Sequence, residues 1–390
     1  MGIFEWLFVG FLTTFGGVTL FTEPTDISID EIYVAGEFEE LGLTEETALG
    51  LLNLKETDLQ AEAGISPFDS HALRLNFKDS ALARFADDLG IMEHVDNLHA
   101  LFDLVDHRMT ISIYSSKETE NEYRDVIEEL TADIHLLETR SGRMIRSIRL
   151  TSDGDLLPLL DEIAEQIIKI ASPSAHALRL FATEIPDSHR EMLILNKPVP
   201  AGTFSGTQSF IEEWLVVHGT GSFEQVGAKH THAYLRRQMI LRASMWNLLG
   251  LVHMAEGRLD DAGKSFMKSI HLNDEHSSAY VNMGAVLSLQ GNYEAALSYL
   301  RKAYSLEDQV PITYLYAAAV LWKQEKPDQA LKVLEKLEAM PKGSGISDLY
   351  KLKALIYAEM GRSQEEIDRM HRKKEIAKLK NPYQFGQLAH

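Results

Sequence analysis

Few stretches of this chain carry side chains at spacings that could do chemistry. Lys229, His230, Thr231 and His232 offer two imidazoles two residues apart, which on a strand would share one face and could open a metal site. No third ligand accompanies them, and Ala233 to Leu241 reads as helix, so an exposed structural pair is the plainer reading. Gly219 to Lys229 has the glycines of a phosphate-binding loop but lacks the Gly-Lys-Ser/Thr that must follow at fixed spacing. Neither His-Glu-x-x-His nor Gly-x-Ser-x-Gly occurs. The absence of cysteine removes thiolate metal sites, disulfides and a Cys nucleophile, and suits an oxidising compartment. Arg372, Lys373 and Lys374 could attract anionic lipid, but Glu375 follows and the run reads as a solvated helix end. The remaining carboxylates fall on charged helical faces. These readings predict no catalytic residue, no metal, no cofactor and no enzymatic activity.

The elements that would position a site are more informative. At 390 residues the chain has room for two or three domains, and its net charge of −20 argues against nucleic acid as a partner, since phosphate binding needs clustered Lys and Arg. From Ile3 to Phe21 the residues are aliphatic, aromatic, Gly or Thr except for Glu5. At about 1.5 Å per residue this run spans roughly 28 Å, close to the hydrocarbon thickness of a bilayer. It lacks the basic start and small-x-small end of a cleaved signal, since the first basic side chain is Lys55, so residues 1–22 are expected to be a retained single-pass anchor. A buried core helix is the alternative. The acid-rich segment after the run, Glu23 to Glu40, orients the amino end inside and the body outside, in the periplasm of a Gram-negative cell.

Residues 23–172 mix strand and helix signals. Ile32, Tyr33 and Val34 form a short strand candidate, and Thr44 is a plausible helix N-cap ahead of Leu51, Leu52 and Leu54. A further helix is expected over Ser80 to Leu89, ending at Gly90. Met109 to Tyr114 alternates; after a charged stretch come Ala132 to Leu137 and Met144 to Leu150, which the Arg140, Ser141, Gly142 turn joins as a hairpin. Leu159, Ile163, Ile167 and Ile170 then mark one face of an amphipathic helix. Residues 173–242 read as a helical and loop-rich connection, with a helix at Ala175 to Thr183 and another near Phe210 to Val217 that carries Trp214 and Leu215.

The C-terminal half repeats every 34 residues. Trp246, Tyr280 and Tyr314 form one column; Gly250, Gly284 and Ala318 a second; Gly257 and Gly291 a third; Ala262, Ala296 and Ala330 a fourth; Phe266, Leu300 and Leu334 a fifth. Small residues suit close helix crossings, large ones fill the space between repeats, and the glycines of the third column suit a left-handed turn. These columns resemble the tetratricopeptide repeat family, in three copies starting near Ala243, Ser277 and Pro311. A fourth, degenerate copy has Tyr350, Ala354, Tyr357 and Gly361, and grades into a charged end suited to a cap. Ahead of the repeats, Ser141 to Met144 and Asp161 to Ile167 resemble the small domain of TolB-amino-terminal-like type found before such repeats in bacterial proteins, often behind one membrane span. An aromatic usual after its hairpin turn is replaced here by Arg146 or Ser147.

The fold class expected is therefore α+β, with an N-terminal membrane helix, a small mixed α/β domain and a C-terminal all-α tetratricopeptide superhelix over residues 243–376, followed by a tail, 377–390. In the family the first helix of each repeat lines a concave surface. The register implies that Asn247, Leu251, Met254, Val281, Ala285, Leu289, Leu315, Ala319 and Trp322 face a groove for an amphipathic helix or extended peptide of a partner protein, with Trp322 as anchor. Leu251 stands where carboxylate-binding relatives need Asn, so capture of a free C-terminus is not expected. Packing of these residues between repeats, or against the Trp214 helix, is the competing reading. Three roles remain: a membrane-anchored scaffold or assembly factor; an envelope sensor or enzyme whose α/β domain binds a small ligand; and an accessory subunit of a larger membrane complex, joined through Gly16 and Gly17.

Overall fold

A computed structural model describes residues 27–39, 43–48, 50–52, 107–121, 124–138, 142–153, 155–185, 198–219, 232–307, 310–340 and 343–380. The expected anchor, the Ser80 to Leu89 helix, the Gly219 to Lys229 loop beyond Gly219 and most of the tail lie outside them. So do Lys229 to Thr231 of the histidine pair. Among the described residues no helix is long and apolar enough to cross a membrane. The chain divides into two compact units at Pro173/Ser174, and each is described by itself.

The first unit is a four-stranded sheet in the order β1 (Ile27–Val34), β2 (His107–Asn121), β3 (Arg124–Glu138) and β4 (Met144–Ser152). β1 and β2 are parallel, and the other neighbours antiparallel. Alternation decides the faces: Ile32, Val34, Met109, Ile111, Ile113, Ala132, Ile134 and Leu150 are buried on one side. Helix α1 (Leu156–Ala171) covers β3 and β4 on that side with Leu159, Leu160, Ile163, Ala164 and Ile167, three of them from the expected apolar stripe. It starts where Asp155 accepts a hydrogen bond from the Leu157 amide at 3.2 Å, satisfying one of the free first-turn donors. Thr44 caps a helical stretch within 45–52 in the same way, accepting from the Thr47 amide at 3.2 Å. The β3–β4 hairpin turns where it was expected, with Gly142 at φ +65° and its amide donating to the Glu138 carbonyl at 2.8 Å. The described residues of the charged stretch between Tyr114 and Ala132 are themselves strand. β2 and β3 are each 15 residues long and run past the ends of β1 and β4 as a two-stranded ribbon.

The second unit is helical. After α2 (Pro173–Glu184) and α3 (Ser205–Gly219) come four helix pairs: α4 (His232–Ala255) with α5 (Leu259–Leu272), α6 (Ser277–Leu289) with α7 (Tyr293–Leu306), α8 (Pro311–Lys323) with α9 (Pro327–Ala339), and α10 (Ser347–Glu359) with α11 (Gln364–Lys380). The first helices also touch one another in series, α4 on α6, α6 on α8 and α8 on α10, so the pairs stack in order. Each first helix after α4 is buried on nearly all sides, whereas α5, α7 and α9 bury one stripe, as an inner and an outer layer should. α4 begins eleven residues before Ala243, extending the array towards its amino end.

All four pairs turn in one way. The amides of Gly257, Gly291, Glu325 and Gly361 donate back to Met254, Ser288, Trp322 and Ala358, and the next amides donate to His253, Leu287, Leu321 and Tyr357. This left-handed helix terminus needs positive φ, found at +77°, +81°, +60° and +67°. Three of the four positions are glycine; the third repeat places Glu325 there instead.

Candidate partner-binding surface

The small-residue columns set how closely the layers approach. A Cβ on Gly250 would lie 2.4 Å from the Phe266 ring, and one on Gly284 2.9 Å from Leu300 and 3.2 Å from the Ala296 carbonyl oxygen. The nearest neighbour of Gly250 is therefore the Phe266 ring, one helical turn beyond the Ala262 column. Lys268 sits 3.8 Å over the Trp246 ring and Lys302 5.9 Å over Tyr280, so the aromatic column brings a cation one repeat apart. A second periodic contact escaped the sequence reading. Gln290 donates to Asp260 at 3.1 Å and Gln324 to Glu294 at 2.9 Å, each linking a first-helix end to the preceding pair. The shared 34-residue spacing of both partners was its signal.

The nine residues expected to line a groove do not form an open apolar surface. Asn247, Leu251, Met254, Val281, Ala285, Leu315 and Ala319 are all buried, the most exposed of them at 4%. Asn247 is also held within the array, its carbonyl oxygen accepting from the Asn282 amide at 2.9 Å. First helices approach one another closely enough at these positions to enclose the side chains, which is the packing role weighed as the alternative. Leu289 and Trp322 alone among the nine keep partial exposure. Trp322 donates its indole N–H to Glu359, joining the third pair to the fourth.

The inner layer is not purely apolar. Ser278, Ser288, Thr313 and Tyr316 bury hydroxyl oxygens that find no hydrogen-bond partner among the described residues. Burial, with the Asp348 carboxylate nearby, pushes the Tyr316 hydroxyl far above its ordinary range, so it stays protonated. Burial also lowers the pKa of Lys323, which follows Trp322 in the chain.

Both ends of the array are tied down by carboxylates. At the amino end, Glu184 of α2 accepts from the Gly206 and Thr207 amides and the Thr207 hydroxyl, capping α3. α3 in turn meets the α4–α5 turn: Glu256 accepts from the Gly202 amide and pairs with Arg258, which also reaches Gln208 at 2.9 Å. Trp214 and Leu215 of α3 are buried, as expected of a helix packed on the repeats. At the carboxyl end, Glu338 of α9 pairs with the buried Lys353 of α10 and, at 2.7 Å, with Lys373 of α11.

The first unit has a polar face of its own. Tyr33, Ser112, Asp133 and Arg149 fall in one cross-strand row. Arg149 grips Asp133 through two hydrogen bonds, at 2.8 and 2.9 Å, and the Tyr114 hydroxyl donates to the same carboxylate at 2.8 Å. The Arg149 bond holds Asp133 below the usual carboxylate range. Its acceptors are already taken by these neighbours. Among the described residues no group of three or more His, Asp or Glu gathers as metal ligands.

Residues 241–309 match the tetratricopeptide repeat family. The stacked helix pairs keep a 34-residue step through the third pair and a 36-residue step to the fourth, so the helical repeat region is consistent with a tetratricopeptide superhelix, and such repeats are in general protein-interaction scaffolds. Solved structures similar to this chain include two crystal structures of MamA. One is 19% identical, covers 46% of this chain and 92% of its own, and has a TM-score of 0.32; the other is 18% identical, with coverages of 46% and 96% and a TM-score of 0.31. A tetratricopeptide repeat protein from Parabacteroides merdae is 16% identical, with coverages of 56% and 92% and a TM-score of 0.27. At these scores the likenesses carry no weight beyond the family match. No curated protein matches the chain.

Proposed function

We propose that the chain is a non-enzymatic scaffold that holds a segment of a partner protein against the first helices of its tetratricopeptide array. The observation that carries this reading is the partly exposed remainder of the predicted groove: Leu289 and Trp322 stand at the ends of consecutive first helices. A helix or extended strand with one apolar anchor suits that combination. Residues 1–22 tether the scaffold to a membrane with its body on the periplasmic side, and residues 109–170 act as a TolB-amino-terminal-like module between tether and array. The hydrophobic run supports the tether and the acid-rich segment after it supports the orientation.

Two experiments test the reading. A photo-crosslinking amino acid placed at Leu289 or Trp322 is expected to capture the same partner, while the same group at the outward Lys332 captures none; equal yields at all three positions would remove the binding role. A phosphatase reporter fused after Phe21 is expected to be active outside the cytoplasm, and an inactive but stable fusion reverses the orientation.

A further inference from the structure

The edge strand β4 has an unusual composition for this chain. From Arg140 to Ser152 the sequence holds Arg140, Arg143, Arg146 and Arg149 and no acidic residue, within a protein of net charge −20. Among the described residues β4 pairs only with β3, so every second backbone amide and carbonyl along its outer side is turned away from the described sheet. The side chains around that edge are open as well: Met144 is 53% exposed and Ile145 46%, and Arg143, Arg146, Ser147 and Arg149 are exposed. Arg149 is committed to Asp133, and Arg143 lies 3.8 Å from Glu138. Arg146 has no ionic partner among the described residues, and it projects on the α1 side of the sheet with Ile148 and Leu150.

We infer that β4 accepts an extended, acidic segment of a partner protein as a fifth strand. Three features select that occupant. The unpaired edge is regular: the register shift falls between Leu136 and Leu137, opposite the start of β4, so Arg146 to Ser152 forms an unbroken ladder edge. No proline interrupts it, and its exposed apolar residues, Met144 and Ile145, give an incoming strand something to cover. Opposite charges facing across a strand pair stabilise pairing and like charges oppose it, so Arg146 disfavours a second β4 and favours a carboxylate on the α1 side of the incoming strand. A long polyanion such as nucleic acid would meet the repulsion of the whole acidic chain, whereas a short acidic segment meets only the local arginine strip. This mode of binding uses main-chain hydrogen bonds for affinity and side-chain charge for selection. It is separate from the tetratricopeptide array and stands whether or not that array binds as proposed.

The test uses the full chain in mild detergent and a fluorescein-labelled nine-residue peptide alternating glutamate with valine. Fluorescence anisotropy is expected to show saturable binding that weakens at least tenfold with Arg146→Glu, while circular-dichroism melting of that variant matches the parent. The peptide with lysine in place of glutamate is expected not to bind. Two further peptides carry N-methyl groups on alternate amides, one on the odd and one on the even positions. Strand addition predicts that one loses binding and the other retains it, because only one set of amides points at β4. Equal binding by both methylated peptides would show plain charge attraction and overturn the proposal. So would failure of the glutamate peptide to bind, including the case in which vesicles of phosphatidylserine bind with the same Arg146 dependence.

Discussion

Residue-scale choices in the array can be read by comparing repeats within the one chain. Column two packs on column five as Gly250 on Phe266 and Gly284 on Leu300, and the same register puts Ala318 with Leu334 in the third repeat. The larger the facing side chain, the less room remains for a Cβ. Gly250→Ala gains helix propensity of about 1 kcal/mol, but a Cβ placed 2.4 Å from a buried ring must move it. Overpacking of that kind costs about 1–3 kcal/mol, so the variant is expected to be less stable by urea titration. Adding Phe266→Leu should recover most of the loss, because the third repeat already accommodates Ala with Leu; a double-mutant cycle with no coupling would refute the pairing. Glu325 supplies the opposite case. A non-glycine residue in the left-handed region costs roughly 1 kcal/mol, so Glu325→Gly is expected to raise stability by about that amount, while the same change at exposed Glu335 within α9 lowers it. Glu338 brings a pH dependence. Burial alone would raise its pKa, but the hydrogen bonds from Lys353 and Lys373 outweigh it and hold the carboxyl down at about 2. The depressed folded value means that its contribution is present above the ordinary carboxylate range near 4.5 and is lost as pH falls towards 2. Melting curves of the parent and Glu338→Gln should therefore differ most at neutral pH and converge as pH approaches 2.

At the scale of elements, sequence and structure agree where one periodicity acts alone. The α1 stripe, the Gly142 hairpin and the 34-residue columns were legible because each buries a regular subset of side chains. The long β2–β3 ribbon was not, because beyond Ser115 its residues are mostly polar or charged and pair only with each other among the described strands, so no alternation of apolar residues marks them. Parallel pairing of β1 with β2 was equally hidden, since a crossover leaves no local signal. The groove residues were located by register on the correct helices, yet their burial was not legible. Ala285 and Ala319 are small enough to let first helices close over Val281 and Leu315, and that approach depends on superhelix geometry which no single repeat encodes. The turn at Glu325 was missed for a plainer reason: the column departs from glycine there, although the backbone keeps the conformation.

For the whole molecule, the array is a chain of neighbours, each pair stabilised by the next and the last one closed by the Glu338 ion cluster and the polar α11. Removing that closure should loosen the carboxyl end before the rest: Lys353→Met is expected to raise amide hydrogen exchange in α10 and α11 while leaving α4 and α5 protected. The proposed scaffold role implies an occupant, and the most direct measurement is to purify the full chain from its own cells in mild detergent, in parallel with Trp322→Ala, and identify companions by quantitative mass spectrometry. The account predicts one protein at near-stoichiometric yield with the parent and at least tenfold less with Trp322→Ala, at a temperature where circular dichroism shows both chains fully folded. Recovery of the parent chain as a lone monomer, or an undiminished companion on the variant, would contradict it.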